Sequence, residues 1–133
     1  MKTLVTLLLL FPLSFQVLAT GESEEKAVQH IKLADVTSAA QAKKVFLKST
    51  SDIKSKKKLD AAELHEIHFI TYSLEKSVAF YAENLSGDRQ ELAKEMAEVV
   101  EFIHINSENN RKEKTKKYLN QYFDLAAQFS SEF

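Results

Sequence analysis

The chain has no cysteine, only two glycines and a single proline in 133 residues. Without cysteine there can be no disulfide, thiolate metal site, thiol nucleophile or covalent c-type haem attachment. Gly21, Gly87 and Pro12 are too few to turn a many-stranded sheet, so the composition favours long helices. There is no glycine-rich phosphate loop, and no serine–histidine–acid order stands out. Charge of one dominant sign is also missing. Eighteen basic residues face 19 acidic ones, for a net charge of −1, which argues against nucleic acid as the main partner.

Long apolar runs are absent as well, with one short exception. Residues 4–15 are apolar, follow Lys2, and are interrupted by Pro12 and Ser14. The run is shorter than the ~20 residues of a membrane span. Val17, Leu18 and Ala19 then provide a cleavage-proximal stretch, the layout of a secretory signal peptide. The expectation is cleavage after Ala19, export to the periplasm and no stable membrane insertion afterwards. An uncleaved N-terminal anchor is the alternative. Residues 20–133 would then form a mature chain of 114 residues with net charge −2, a size that suits one domain.

What is present is helical periodicity. Residues 20–36 have little of it and read as a mobile or extended lead-in. The bundle domain spans 37–133. Helix one starts near Thr37, capped by Asp35 or Thr37, with Ala39, Ala42, Phe46 and Ile53 as its apolar positions, and ends before Lys56, Lys57 and Lys58. Helix two opens on Asp60 with Glu63 three residues on, a capping box, and Leu59 and Leu64 stand where a hydrophobic staple would. Its seam is Leu64, Ile67, Thr71, Leu74, Val78, Tyr81 or Ala82, and Leu85. Asp88 with Glu91, and Asn110 with Glu113, repeat the capping pattern for helices three and four. Helix three carries Leu92, Met96, Val99, Ile103 and Ser107 on its seam. Helix four carries Tyr118 or Leu119, Tyr122, Leu125 or Ala126, and Phe129. Short links imply antiparallel neighbours, hence an all-α, up-down-up-down four-helix bundle. A three-helix core with a loosely attached first helix is the alternative.

The chemistry-bearing stretch is LHEIHFITYSLE at 64–75. His65 and His68 are three apart, so this is not the zinc-peptidase pattern, which needs four. At ~100° per residue, His68 and Glu75 lie at the edge of the helix-two seam, with Tyr72 and His65 further round toward solvent. His104 is offset from the helix-three seam in the same sense, flanked by Glu101 and Glu108. His68 and His104 stand 18 residues before and after Ser86, so an antiparallel hairpin sets them at one height. Two imidazoles with carboxylate oxygens suit a divalent transition metal, zinc, copper or iron, with zinc or copper as the expectation. The metal ligands would be His68, His104, Glu75 and Glu108, with Tyr72 orienting a ligand, Ser107 beside His104 and His30 as an extra nitrogen donor. Non-covalent haem with both histidines axial is a further reading. The rival to both is a structural hydrogen-bond network in an interaction protein.

The segments IHFITYSLE at 67–75 and IHINSE at 103–108 resemble a family of small exported bacterial helical-bundle proteins of unknown function. That pattern has a histidine four before a tyrosine and seven before a glutamate, then a second histidine ahead of a Ser-Glu pair. The resemblance implies that His68, Tyr72, Glu75, His104, Ser107 and Glu108 form one polar cluster, and the segment around His30 is similar to the family's lead-in. It implies no activity. The likeness to four-helix b-type cytochromes is architectural: those use a methionine and a histidine, and Met96 has no late histidine to partner it. The expectation is therefore a protein that binds rather than catalyses, as a monomer or homodimer, with a protein or small ligand as its partner.

Overall fold

A computed structural model describes residues 25–133; the signal-peptide reading of residues 1–19 lies outside them. Four helices follow in order: α1 Ala39–Ser55, α2 Ala61–Asn84, α3 Gly87–Glu108 and α4 Lys112–Ser130. Each packs most extensively on its neighbours in sequence, giving the expected all-α four-helix bundle. Among the described residues, no helix is long and apolar enough to cross a membrane.

The helix starts show where capping chemistry was read correctly. Asp60 accepts the Glu63 N–H at 3.0 Å, and Glu63 Oε2 accepts from the Leu59 and Lys58 amides at 2.8 and 2.7 Å. Leu59 and Leu64 are both buried in the core, as a staple requires.

The other starts differ from expectation. The α1 cap is Ser38, not Asp35 or Thr37: Ser38 Oγ accepts from Gln41 N at 3.2 Å, while Gln41 Oε1 accepts from Thr37 N at 3.1 Å. The α3 helix begins at Gly87, before Asp88, because Gly87 takes φ +62° and turns the chain within a two-residue link.

Asn110 is not the α4 cap either, because it sits in the left-handed region at φ +53°. Arg111 N donates to Asn106 O at 2.8 Å and Asn110 N to Ser107 O at 3.1 Å. These are the two hydrogen bonds of a Schellman motif, so Asn110 closes α3 rather than opening α4.

The seams fill the core nearly as expected. Leu64, Ile67, Thr71, Leu74, Val78 and Tyr81 of α2 are buried, as are Tyr118, Leu119, Tyr122, Leu125, Ala126 and Phe129 of α4. On α3 the inward row runs through Ala93, Met96, Val99, Val100 and Ile103, and Leu92 is only half-buried. On α1, Ala39 is exposed while Ala42, Phe46 and Ile53 are buried.

Phe46 shows that α1 belongs to the core rather than hanging loosely on it. Its ring is packed among Tyr81, Tyr122, Phe129 and Phe133, with centroids 5.6–6.5 Å away. Burying a side chain of this size contributes roughly 1.5–3 kcal/mol. Ser77 Oγ donates to Ala42 O at 2.8 Å, and Thr50 Oγ1 meets Tyr122 Oη at 2.6 Å, which tie α1 to α2 and α4.

Residues 25–36 form no helix and lie over the α2–α3 groove as an extended strap. The aromatic cluster lies toward the C-terminal ends of α2 and α4. The polar cluster lies toward the start of α2 and the end of α3.

Candidate metal centre between α2 and α3

The site is built on the two-residue link between α2 and α3. That link sets the register of the hairpin and brings His68 and His104 to the same height, with ring centroids 4.8 Å apart. His104 is fully buried and His68 is 7% exposed. The pair therefore occupies bundle interior, where an unsatisfied polar atom costs ~1–3 kcal/mol.

His104 is fixed from behind. Its Nδ1 shares a 2.6 Å hydrogen bond with Glu75 Oε1 across the helix interface. A carboxylate accepts, so Nδ1 carries a proton, and in a neutral ring Nε2 is then the nitrogen with the free lone pair. Neither His104 Nε2 nor His68 Nε2 has a hydrogen-bond partner among the described residues. Burial, reinforced by the neighbouring His104, His30 and His65, holds the His68 imidazole below its ordinary range, with Glu108 opposing. His68 is thus a neutral imidazole at neutral pH, the form that can donate a lone pair.

Glu108 converges on the pair from the end of α3. One ligand atom from each of His68, His104 and Glu108 lies within 4.8 Å of the others. Among the described residues, these three alone form a group of metal-ligating side chains so close together. Glu75 belongs to the same cluster, but its two oxygens are engaged by His104 Nδ1 and by Gln29 Nε2 at 2.7 Å.

Tyr72 corrects the helical-wheel reading. It was expected toward solvent, yet it is 2% exposed. The strap covers it, and His30 N donates to Tyr72 Oη at 3.1 Å. Its ring packs against both histidines, with centroids 5.2 Å from His68 and 4.9 Å from His104.

Ser107 is buried beside the site, but its hydroxyl donates to the His104 carbonyl at 3.0 Å and so serves its own helix. His65 is exposed, edge-on to Phe69 at 4.7 Å. His30 reaches the rim of the site, its Nε2 at 2.5 Å from Glu108 Oε1 and its ring 6.3 Å from that of His68.

Sequence reasoning missed Gln29 and the role of Glu101, which accepts the Ala27 amide at 3.3 Å. The available signal was the polar side chains of the lead-in itself: Glu25, Gln29 and His30 reach the bundle while Val28 and Ile31 stay exposed.

The arrangement offers two imidazole nitrogens and a carboxylate oxygen to one point, backed by a second carboxylate. Among curated proteins and solved structures, nothing matches the chain. A family model does, over residues 1–131, and on that match the chain belongs to the DUF6746 family, a family of unknown function.

Proposed function

We propose that this protein is an exported helical-bundle protein that reversibly binds a divalent transition metal ion, zinc or copper, between α2 and α3. His68, His104 and Glu108 are the ligands. Glu75 holds His104 in the tautomer and orientation that present Nε2, the usual task of a carboxylate behind a metal-bound histidine. The observation that carries the reading is a pair of buried Nε2 atoms without a hydrogen-bond partner among the described residues, on rings whose centroids are 4.8 Å apart and beside the Glu108 carboxylate. A cation bound between the two rings would satisfy both at once.

Geometry favours one small ion over haem. With metal–nitrogen bonds of about 2.0–2.1 Å, two imidazoles on a tetrahedral ion have centroids about 5 Å apart, and two on opposite sides of an iron about 6 Å. The observed 4.8 Å matches the first case. The short apolar run after Lys2 and the stretch ending at Ala19 support export.

The test is titration of Zn²⁺ and Cu²⁺ into untagged, metal-free mature protein, with the His68→Ala/His104→Ala double variant as the comparison. One equivalent bound by the wild type and lost in a folded double variant is the expected result. If neither ion binds at micromolar concentration, the cluster is a structural network and the search passes to protein partners.

A further inference from the structure

We propose that His30, carried by the N-terminal strap, is the fourth ligand of this centre, so that residues 25–36 close over the ion and set how fast it leaves. The inference rests on the metal reading of His68, His104 and Glu108.

The strap engages the site itself. His30 Nε2 lies 2.5 Å from Glu108 Oε1, its backbone amide donates to Tyr72 Oη, and Gln29 donates to Glu75. Three cluster members thus hold the strap directly. An ion bound by both His30 Nε2 and Glu108 Oε1 needs those atoms roughly 3.3 Å apart for tetrahedral ligands with bonds near 2 Å, so loading must part this hydrogen bond and draw the His30 ring inward to join the three groups that already lie within 4.8 Å of one another. His30, His68, His104 and Glu108 would make a closed N₃O set of the kind zinc and Cu²⁺ accept. Among the described residues no sulfur donor joins the cluster: the chain has no cysteine, and Met96 is buried in the core on α3. The site should therefore discriminate against Cu⁺, which prefers thiolate and thioether ligands.

The strap is also built to open. Its ends are tied by Glu25 to Arg111 at 2.9 Å and by Asp35 to Lys76 at 2.6 Å, both partly exposed pairs. Such pairs hold weakly. Between them the apolar side chains of Val28 and Ile31 are 57% and 37% exposed. Only at its far end does Val36 pack against the core. The strap can swing from there while the bundle stays folded, because the helices are held by their own buried seams. A bond from His30 to the ion would add the one strong contact the strap otherwise lacks.

The experiment uses Co²⁺ as probe in the untagged mature protein, comparing wild type, His30→Ala and the His68→Ala/His104→Ala double variant, each checked for fold by circular dichroism. Wild type is expected to show the intense visible band of a four-coordinate ion, with slow release to EDTA. On loading, amide exchange across 25–36 should slow. His30→Ala should still bind, with a weakened band, unprotected strap amides and release faster by about tenfold or more, since even an outer-shell partner costs that much. If His30→Ala matches wild type in band, release and exchange, the strap inference falls and the three-ligand site stands. If wild type does not bind Co²⁺, or the double variant binds equally well, the metal reading itself falls and takes this inference with it.

Discussion

Glu75 and His104 sit 29 residues apart in sequence and 2.6 Å apart in space, a carboxylate on α2 gripping the back of an imidazole on α3. The bond does two things: it links the two helices of the hairpin, and it decides which nitrogen of His104 faces inward. Replacing Glu75 by Gln keeps the shape and removes the charge. Zinc affinity should drop about 10–100-fold while the far-ultraviolet circular dichroism stays the same. A competition titration against a chromophoric chelator measures it. Unchanged affinity would mean that Glu75 tunes nothing.

A second prediction follows from the orphaned nitrogens. His68 is a buried polar side chain whose Nε2 has no hydrogen-bond partner among the described residues. Changing it to Leu replaces that polar atom by apolar volume. Thermal unfolding of the metal-free protein should occur at the same temperature or higher, and the rise in Tm on adding Zn²⁺ should vanish. Were His68 a structural hydrogen-bonder, the same change would instead lower stability by about 1–3 kcal/mol.

Asn110 offers a test of the α3–α4 link. A left-handed residue at φ +53° is best served by glycine and poorly by alanine. Asn110→Gly should hold or raise the Tm, and Asn110→Ala should cost about 1–2 kcal/mol, the penalty of the left-handed conformation. If Asn110 capped α4 through its side chain, glycine would be the loser.

Glu63 carries a pH dependence. The backbone amide of Leu59, helped by that of Lys58, holds its carboxyl below the ordinary value of 4.5, against a smaller opposing effect of desolvation. A depressed carboxyl stabilises the fold above its unfolded value, and that contribution disappears as pH falls through the folded value. Glu63→Ala should therefore be less stable than wild type at neutral pH, and the gap should narrow below pH 4.5. Denaturant melts at a series of pH values would show it; a constant gap would assign the loss to packing.

How much of this was legible depended on the range of the interaction. The α2 and α4 seams were readable because burial repeats every three to four residues, and Tyr118 and Leu119 turned out to be buried together rather than as alternatives. The meeting of His68 and His104 was readable because a two-residue link fixes the hairpin register. Two of the three expected capping boxes failed for a local reason: Gly87 and Asn110 adopt left-handed backbone, which shifts the helix starts by a residue or two and which Asp-x-x-Glu or Asn-x-x-Glu spacing cannot reveal. Tyr72 was misplaced for a distant reason. What covers it is His30, 42 residues away, and no helical wheel contains that contact. The Ser38 and Gln41 box was present in the sequence and simply outcompeted Thr37, whose amide became the acceptor's partner instead.

The strap has a consequence for the order of assembly. Every major helix pairing joins neighbours along the chain, so the bundle has the local topology that folds in microseconds to milliseconds. The α2–α3 hairpin, with both buried histidines in register, can form as a unit early in that process. The strap contacts with Tyr72, Glu108 and Arg111 span 42, 78 and 86 residues and require the finished bundle as their template. The strap therefore docks last, and on the metal reading proposed above a newly folded molecule passes through a stage with His68, His104 and Glu108 in place and His30 still away from them.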